Sequence, residues 1–164
     1  MGNHMVSPRI EKDALAAHRG IPRRVRFFSP ILMFLLNAGV PLGFNRLVSI
    51  HGRKSGLTRT TPLAVIEVGG RRWVWSPWGE SQWVRNLRAA GHATIATRNR
   101  TTEEVSATEL DPMERVGYFR DVLGPLARSI PFGLQFFRIV DGVDLGDPVE
   151  AAEGRRVFEL HPVR

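Results

Sequence analysis

The chain has 164 residues, of which 43% are hydrophobic and 24% charged, and it has no cysteine. That reads as one globular domain with a core of its own, and it excludes a disulfide framework, a thiol nucleophile and a thiolate metal site. The formal net charge of +7 points to anionic partners, whether nucleic acid, a membrane surface or a phosphorylated small molecule, and charge alone does not choose among them.

Met1 to Met5 reads as a leader outside the fold, and residues 6–45 as an N-terminal helical segment. Within it, a short helix is expected from Glu11 to Gly20. A second is expected where Ser29-Pro30 supplies an N-cap followed by proline, running through Ile31, Leu32, Phe34, Leu35 and Leu36 to Gly39. The run Phe27–Leu36 is preceded by Arg23, Arg24 and Arg26, and it reads either as a helix packed on the domain or as a peripheral membrane-surface helix. No apolar run reaches the length of a membrane span, so the location defaults to the cytoplasm.

Residues 46–164 read as the main domain. Strands are expected at Leu47–His51 and Thr60–Val68, the latter with Ala64, Ile66 and Val68 on one face and Leu63, Val65 and Glu67 on the other. Gly69-Gly70 turns the chain into a strand Arg72–Ser76. Glu80–Ala90 predicts a helix stopped by Gly91, with Trp83, Leu87 and Ala90 in its buried stripe, Asn86 beside them, and Arg85 and Arg88 away from it. Strands follow at His92–Arg98 and Thr102–Leu110, whose partly polar alternation fits a sheet with one wet face. Asp111-Pro112-Met113-Glu114 has the form of a capping box and predicts a helix burying Val116, Phe119, Leu123 and Leu126, interrupted by Pro125 and ended by Pro131. Phe132–Ile139 is apolar and of undetermined type, Asp141–Glu153 reads as a loop, and Arg156–Leu160 as the last strand. The class is α+β, a mainly antiparallel sheet or small barrel with helices packed outside it.

The chemistry concentrates in Gly52–Leu63. This turn carries the cations Arg53, Lys54 and Arg59 and the hydroxyls Ser55, Thr58, Thr60 and Thr61, flanked by glycines that free the backbone N–H groups to converge. Guanidinium forks and an ammonium on such a turn make an anion cradle, and phosphate is the natural guest. It is not a nucleotide-hydrolysing P-loop, which needs glycine immediately before the lysine, where Arg53 stands. The histidines show no ligand spacing and no metal site is expected. No Ser/His/Asp set or nucleophile elbow is present. All four tryptophans, Trp73, Trp75, Trp78 and Trp83, follow closely on the turn. Trp73 reads as core, whereas Trp75, Trp78 and Trp83 offer flat walls to a planar ligand with a phosphorylated tail.

Gly52-Arg53-Lys54-Ser55-Gly56, then Arg59 and Thr61-Pro62-Leu63, then Ser76 and Trp83-Val84-Arg85-Asn86-Leu87, and the closing Val157-Phe158-Glu159-Leu160-His161-Pro162 together resemble the actinobacterial deazaflavin-dependent nitroreductase family. The resemblance implies a split β-barrel related to FMN-binding oxidoreductases and implies coenzyme F420, a deazaflavin with a phospholactyl-glutamate tail, with FMN as the alternative. By the same resemblance Arg53, Lys54, Arg59 and Asn86 would hold the phosphate and tail. Pro62, Leu63, Ser76 and Trp83 would line the ring. The implied reaction is hydride transfer from the reduced deazaflavin to a small electron-poor acceptor, a nitroaromatic, quinone or activated alkene. Ser76 and Tyr118 are the side-chain candidates for a proton donor. Members acting on nitroimidazole prodrugs use several pocket tyrosines, whereas this chain has Tyr118 alone. Readings from other classes are a nucleic-acid binding module, for which no docking motif is found, and a non-catalytic carrier of the cofactor or a lipid.

Overall fold

Alternation of inward and outward side chains closes six antiparallel strands into a barrel in the computed structural model. The structure describes residues 45–96 and 101–163; the expected N-terminal helices, with Phe27–Leu36, lie outside the described residues. The strands are β1 (Asn45–His51), β2 (Thr58–Val68), β3 (Arg71–Ser76), β4 (His92–Ala96), β5 (Thr102–Glu109) and β6 (Arg156–Pro162). Their order around the barrel is β1-β2-β3-β6-β5-β4, and β1 pairs with β4 to close it. This is the α+β split barrel that the resemblance implies.

Two apolar clusters build the domain from opposite faces of the same strands. One contains Val48, Ile50, Leu63, Val65, Val74, Ile95, Val105, Phe158 and Leu160, joined by Val84 and Leu87 of helix α1 (Gln82–Ala90). Residues of the other parity, Ile66, Trp73, Trp75 and Val157, form the second cluster under a helical layer. That layer comprises α2 (Pro112–Tyr118), α3 (Gly124–Ser129), α4 (Gly133–Phe136) and α5 (Pro148–Ala152), with π-helical turns at Phe119–Leu123 and Phe137–Asp141. Burying each large apolar side chain here contributes about 1.5–3 kcal/mol. β3 is therefore buried on both faces, Trp73 and Trp75 under the helices and Val74 and Ser76 on the side of the first cluster.

The capping box forms as the sequence predicts: Glu114 N–H donates to Asp111 Oδ1 and Asp111 N–H to Glu114 Oε2, each at 2.8 Å. Pro125 does not break the helical path. The π-helical turn before it, closed by Gly124 N–H on Phe119 O, lets the backbone continue into α3. The expected loop Asp141–Glu153 contains a helix, because Asp147 Oδ1 accepts from the N–H groups of Val149 and Glu150 and Pro148 fits the first turn.

β2 and β1 pair along their whole overlap, from Asn45↔Ala64 to His51↔Thr58, but β2 and β3 pair only from Val65↔Val74 to Val68↔Arg71. Among the described residues the Thr58–Ala64 half of β2 thus has one strand neighbour. Pro62 lies in this half, where a missing N–H disrupts one ladder at most.

Candidate functional site

The turn between β1 and β2 is shaped by its glycines. Gly52 N–H donates to Leu57 O at 2.9 Å, and Gly56, with φ +68°, donates to Gly52 O at 2.8 Å. A Cβ on Gly52 would stand 3.0 Å from Ser55 Oγ and 3.1 Å from Leu57 O, so a side chain there would push the turn open. Ser55 Oγ accepts the N–H of Leu57 at 3.3 Å, which turns this hydroxyl inward to brace the loop.

Helix α1 supplies the opposite wall. Ser81 caps its start, Val84 N–H reaching Ser81 Oγ at 3.5 Å, and Gly91 ends it in the left-handed region with its N–H on Leu87 O. Asn86 is buried, and its Oδ1 accepts both the backbone N–H of Arg53 at 3.3 Å and Arg53 Nη1 at 2.9 Å. Arg53 Nη1 also donates to Gln82 Oε1 at 3.1 Å. One corner of this guanidinium therefore locks the turn to the helix. An ion-pair network fixes the helix in turn: Glu80 accepts two bonds from Arg88 and one from Arg156, and Arg88 also binds Glu109 at the end of β5. The Arg88 hydrogen bond above all, then Arg156, against burial, holds the Glu80 carboxyl down at about 2.

Between turn and helix lies a cavity of about 600 Å³ lined by Ile50, Gly52, Arg53, Lys54, Ser55, Arg59, Thr60, Thr61, Gln82, Trp83, Arg85 and Asn86. It contains four cations and no carboxylate. Lys54 and Arg59 make no ion pair within the described residues, and Arg85 is only 4.0 Å from Glu80. The structure thus brings Arg53, Lys54, Ser55, Arg59, Trp83 and Asn86 together around one space. Trp83 stands at its floor, its ring 6.2 Å from that of Phe158 in the barrel.

Other expected site residues lie elsewhere. Pro62 and Leu63 continue β2 past Thr61 but do not line the cavity, and Leu63 is buried in the first cluster. Ser76 is 1% exposed, and its hydroxyl has no hydrogen-bond partner. Trp75 lies edge-on to Phe119 at 5.5 Å under the helical layer and does not line the cavity, because it shares strand parity with Trp73. Tyr118 also lies outside the cavity. It is buried among Trp73 and Phe119 away from the cavity, and burial first, then the nearby Asp141, raises its phenol well above the usual range. A phenol so placed donates no proton to the cleft. Thr60 and Thr61 of the turn also line the cavity, as do Gln82 and Arg85, to which the sequence reading gave no role there. Gln82, Arg85 and Asn86 are spaced i, i+3 and i+4, and that helical spacing was the signal available.

Residues 37–126 match the model of the F420H(2)-dependent quinone reductase family, more than half of the chain. The chain belongs to this family. It is an F420-dependent oxidoreductase with coenzyme F420 as cofactor and a small-molecule substrate. No curated protein matches it. A solved structure described as a domain-swapped dimer is similar over 80% of this chain and 95% of that one, at 18% identity and a TM-score of 0.52, which supports the fold alone. An F420-H2 dependent reductase (FDR-A) is 18% identical over 72% of this chain and 94% of that one, with a TM-score of 0.47. A conserved hypothetical protein from Mycobacterium tuberculosis is 16% identical over 75% of each, with a TM-score of 0.45. Among the described residues no group of His, Cys, Asp and Glu could hold a metal ion, and no helix is long and apolar enough to cross a membrane.

Proposed function

We propose that this F420-dependent oxidoreductase delivers its hydride to a quinone, and that the cleft between the Gly52–Leu57 turn and α1 holds the acidic tail of the cofactor. The observation that carries this reading is a cavity with four cations and no carboxylate, walled by a tryptophan. Lys54 and Arg59 would take the phosphate and tail carboxylates as charge-assisted partners, with the remaining N–H groups of Arg53 and the guanidinium of Arg85 beside them. Asn86 and Gln82 act on Arg53, holding its fork where an anion can reach it.

The ring end lies beyond Thr60 and Thr61, with Trp83 as an apolar wall and the single-paired half of β2, including Pro62 and Leu63, alongside. The buried hydroxyl of Ser76 lacks a partner, and a polar atom of a bound ring would satisfy it. The residues present therefore fit a flat ring with a phosphorylated tail. When bound, reduced F420 supplies the hydride. The protein orients the ring, neutralises the tail and keeps one face open to the acceptor. No carboxyl or imidazole lines the cavity that would hold the tail.

The test is anaerobic oxidation of reduced F420, followed by its absorbance, with a short-chain quinone or a nitroaromatic as acceptor. Enzyme-dependent oxidation fastest with the quinone is expected. Turnover with the nitroaromatic and none with any quinone overturns the assignment of the acceptor.

A further inference from the structure

Between Pro131 and Val140 only Gly133 and Phe137 are buried. Phe132 is 81% exposed, Phe136 55%, Ile139 81% and Val140 47%. Their spacing of i, i+4, i+7 and i+8 across α4 and the π-helical turn after it puts them in one stripe, beside the stripe of the two residues that anchor the segment. The anchor is firm. Phe137 packs against Trp75 at 6.3 Å, and Gly133 sits so close to the end of α3 that a Cβ would come within 2.2 Å of Ala127 O. Phe132 holds a backbone φ of +59°, a conformation that non-glycine residues rarely adopt, and its ring goes to solvent.

The acids that flank this strip are Asp121, paired with Arg120, and the half-buried Asp141 at the end of the π-helical turn. Between them, from Val122 to Val140, the ionisable side chains are Arg128 and Arg138. Both are exposed and neither forms an ion pair within the described residues, whereas Arg120 is matched by Asp121. A rigid apolar ridge with unmatched arginines beside it has no packing explanation within the described fold. We propose that it is a docking surface for the anionic face of a phospholipid bilayer. The rings enter the headgroup–acyl boundary while the guanidinium groups reach lipid phosphates. The overall charge of +7 favours the same approach. A second copy of the chain is the poorer occupant: a self-complementary contact would set these arginines against their own kind with no carboxylate in the strip to pair them. The proposal does not depend on which acceptor the enzyme reduces.

The experiment is co-sedimentation of the full chain with extruded vesicles, either phosphatidylcholine alone or mixed with phosphatidylglycerol. Two variants are compared with the parent: Phe132→Ser/Phe136→Ser/Ile139→Ser, and Arg128→Gln/Arg138→Gln. Unchanged F420 binding shows that each variant is folded, and it separates failure here from failure of the cofactor reading. Because Phe27–Leu36 is retained throughout, only the difference made by the strip is read. The parent is expected to bind the mixed vesicles, the apolar variant to partition at least about tenfold more weakly, and the arginine variant to lose its preference for anionic lipid. Three results overturn the proposal: a parent that binds neither vesicle, variants that partition like the parent, or an apolar variant that instead converts a stable dimer to monomer.

Discussion

Asn86 is where the site and the fold meet, and replacing it separates them. In Asn86→Ala the buried acceptor of two bonds from Arg53 is lost, one from the backbone N–H and one from Nη1. A neutral hydrogen bond contributes about 1 kcal/mol and one to a charged group about 1.5–3 kcal/mol, so a loss of roughly 2–3 kcal/mol is expected, since Gln82 still holds the guanidinium. For a domain of this size that lowers Tm by about 5–10 °C. Cofactor affinity should fall by about tenfold, because the fork is no longer fixed facing the cavity. Asn86→Asp keeps the acceptor and adds attraction to Arg53, so it should retain stability near neutral pH, yet it introduces the cavity's first carboxylate and should cost more affinity than alanine does. Thermal unfolding together with fluorescence titration of F420 reads both quantities. If the alanine variant matched the parent in Tm and affinity, or the aspartate variant bound the cofactor as tightly as the parent, the positioning role of Asn86 would be refuted.

Lys54→Ala should weaken F420 binding by about 1.5–3 kcal/mol, roughly 10- to 150-fold, with little change in Tm, because the ammonium makes no ion pair within the described residues; an unchanged affinity by titration would make it a solvated surface charge. Tyr118→Phe removes a buried hydroxyl without a partner, so stability should hold or rise by up to about 1 kcal/mol and turnover should not change. A large drop in turnover would return Tyr118 to the chemistry. Asp141 is raised to about 6 by burial, against the opposing pull of Arg155. Between its ordinary value and about 6 the unfolded chain releases a proton that the folded chain keeps, so this group lowers stability as pH rises through that window. Asp141→Asn should therefore stabilise the protein by about 3 kcal/mol at pH 7 and by nothing at pH 3; urea unfolding at both pH values checks it, and equal gains would contradict the buried-acid account. Glu80 has the opposite sign. Its depressed carboxyl adds stability above its ordinary pKa that disappears as pH falls towards about 2, and solvent screening of so exposed a group holds this to about 1 kcal/mol, readable as the acid shift of a Glu80→Gln unfolding curve.

The cationic turn was legible because its chemistry is local. Two glycines, two arginines, a lysine and a serine within eight residues suffice to gather cations on one side of a cavity. The bond between Arg53 and Asn86, 33 residues apart, could not be read that way, because no periodicity announces which helix a turn will meet. Helical spacing groups Asn86 with Gln82 and Arg85 on one face, and the resemblance to a known family is what set that face against the turn. The placement of Trp75 away from the cavity was legible in strand alternation, which puts it on the face of Trp73. Tyr118 was singled out for being the lone tyrosine, and composition says nothing of burial. α5 escaped because a five-residue helix is too short for its buried stripe to repeat, and its cap had to be read from Asp147-Pro148 alone.

The central claim is that the cationic cleft selects the phosphorylated tail of a deazaflavin. Titration of the full chain with oxidised F420 and, separately, with FMN, following tryptophan quenching and cofactor fluorescence, tests it most directly. The account predicts saturable binding of F420, little binding of FMN, and loss of F420 binding in Lys54→Ala/Arg59→Ala without loss of fold. Tight FMN binding with no F420 binding, or an F420 affinity indifferent to both cations, would contradict it.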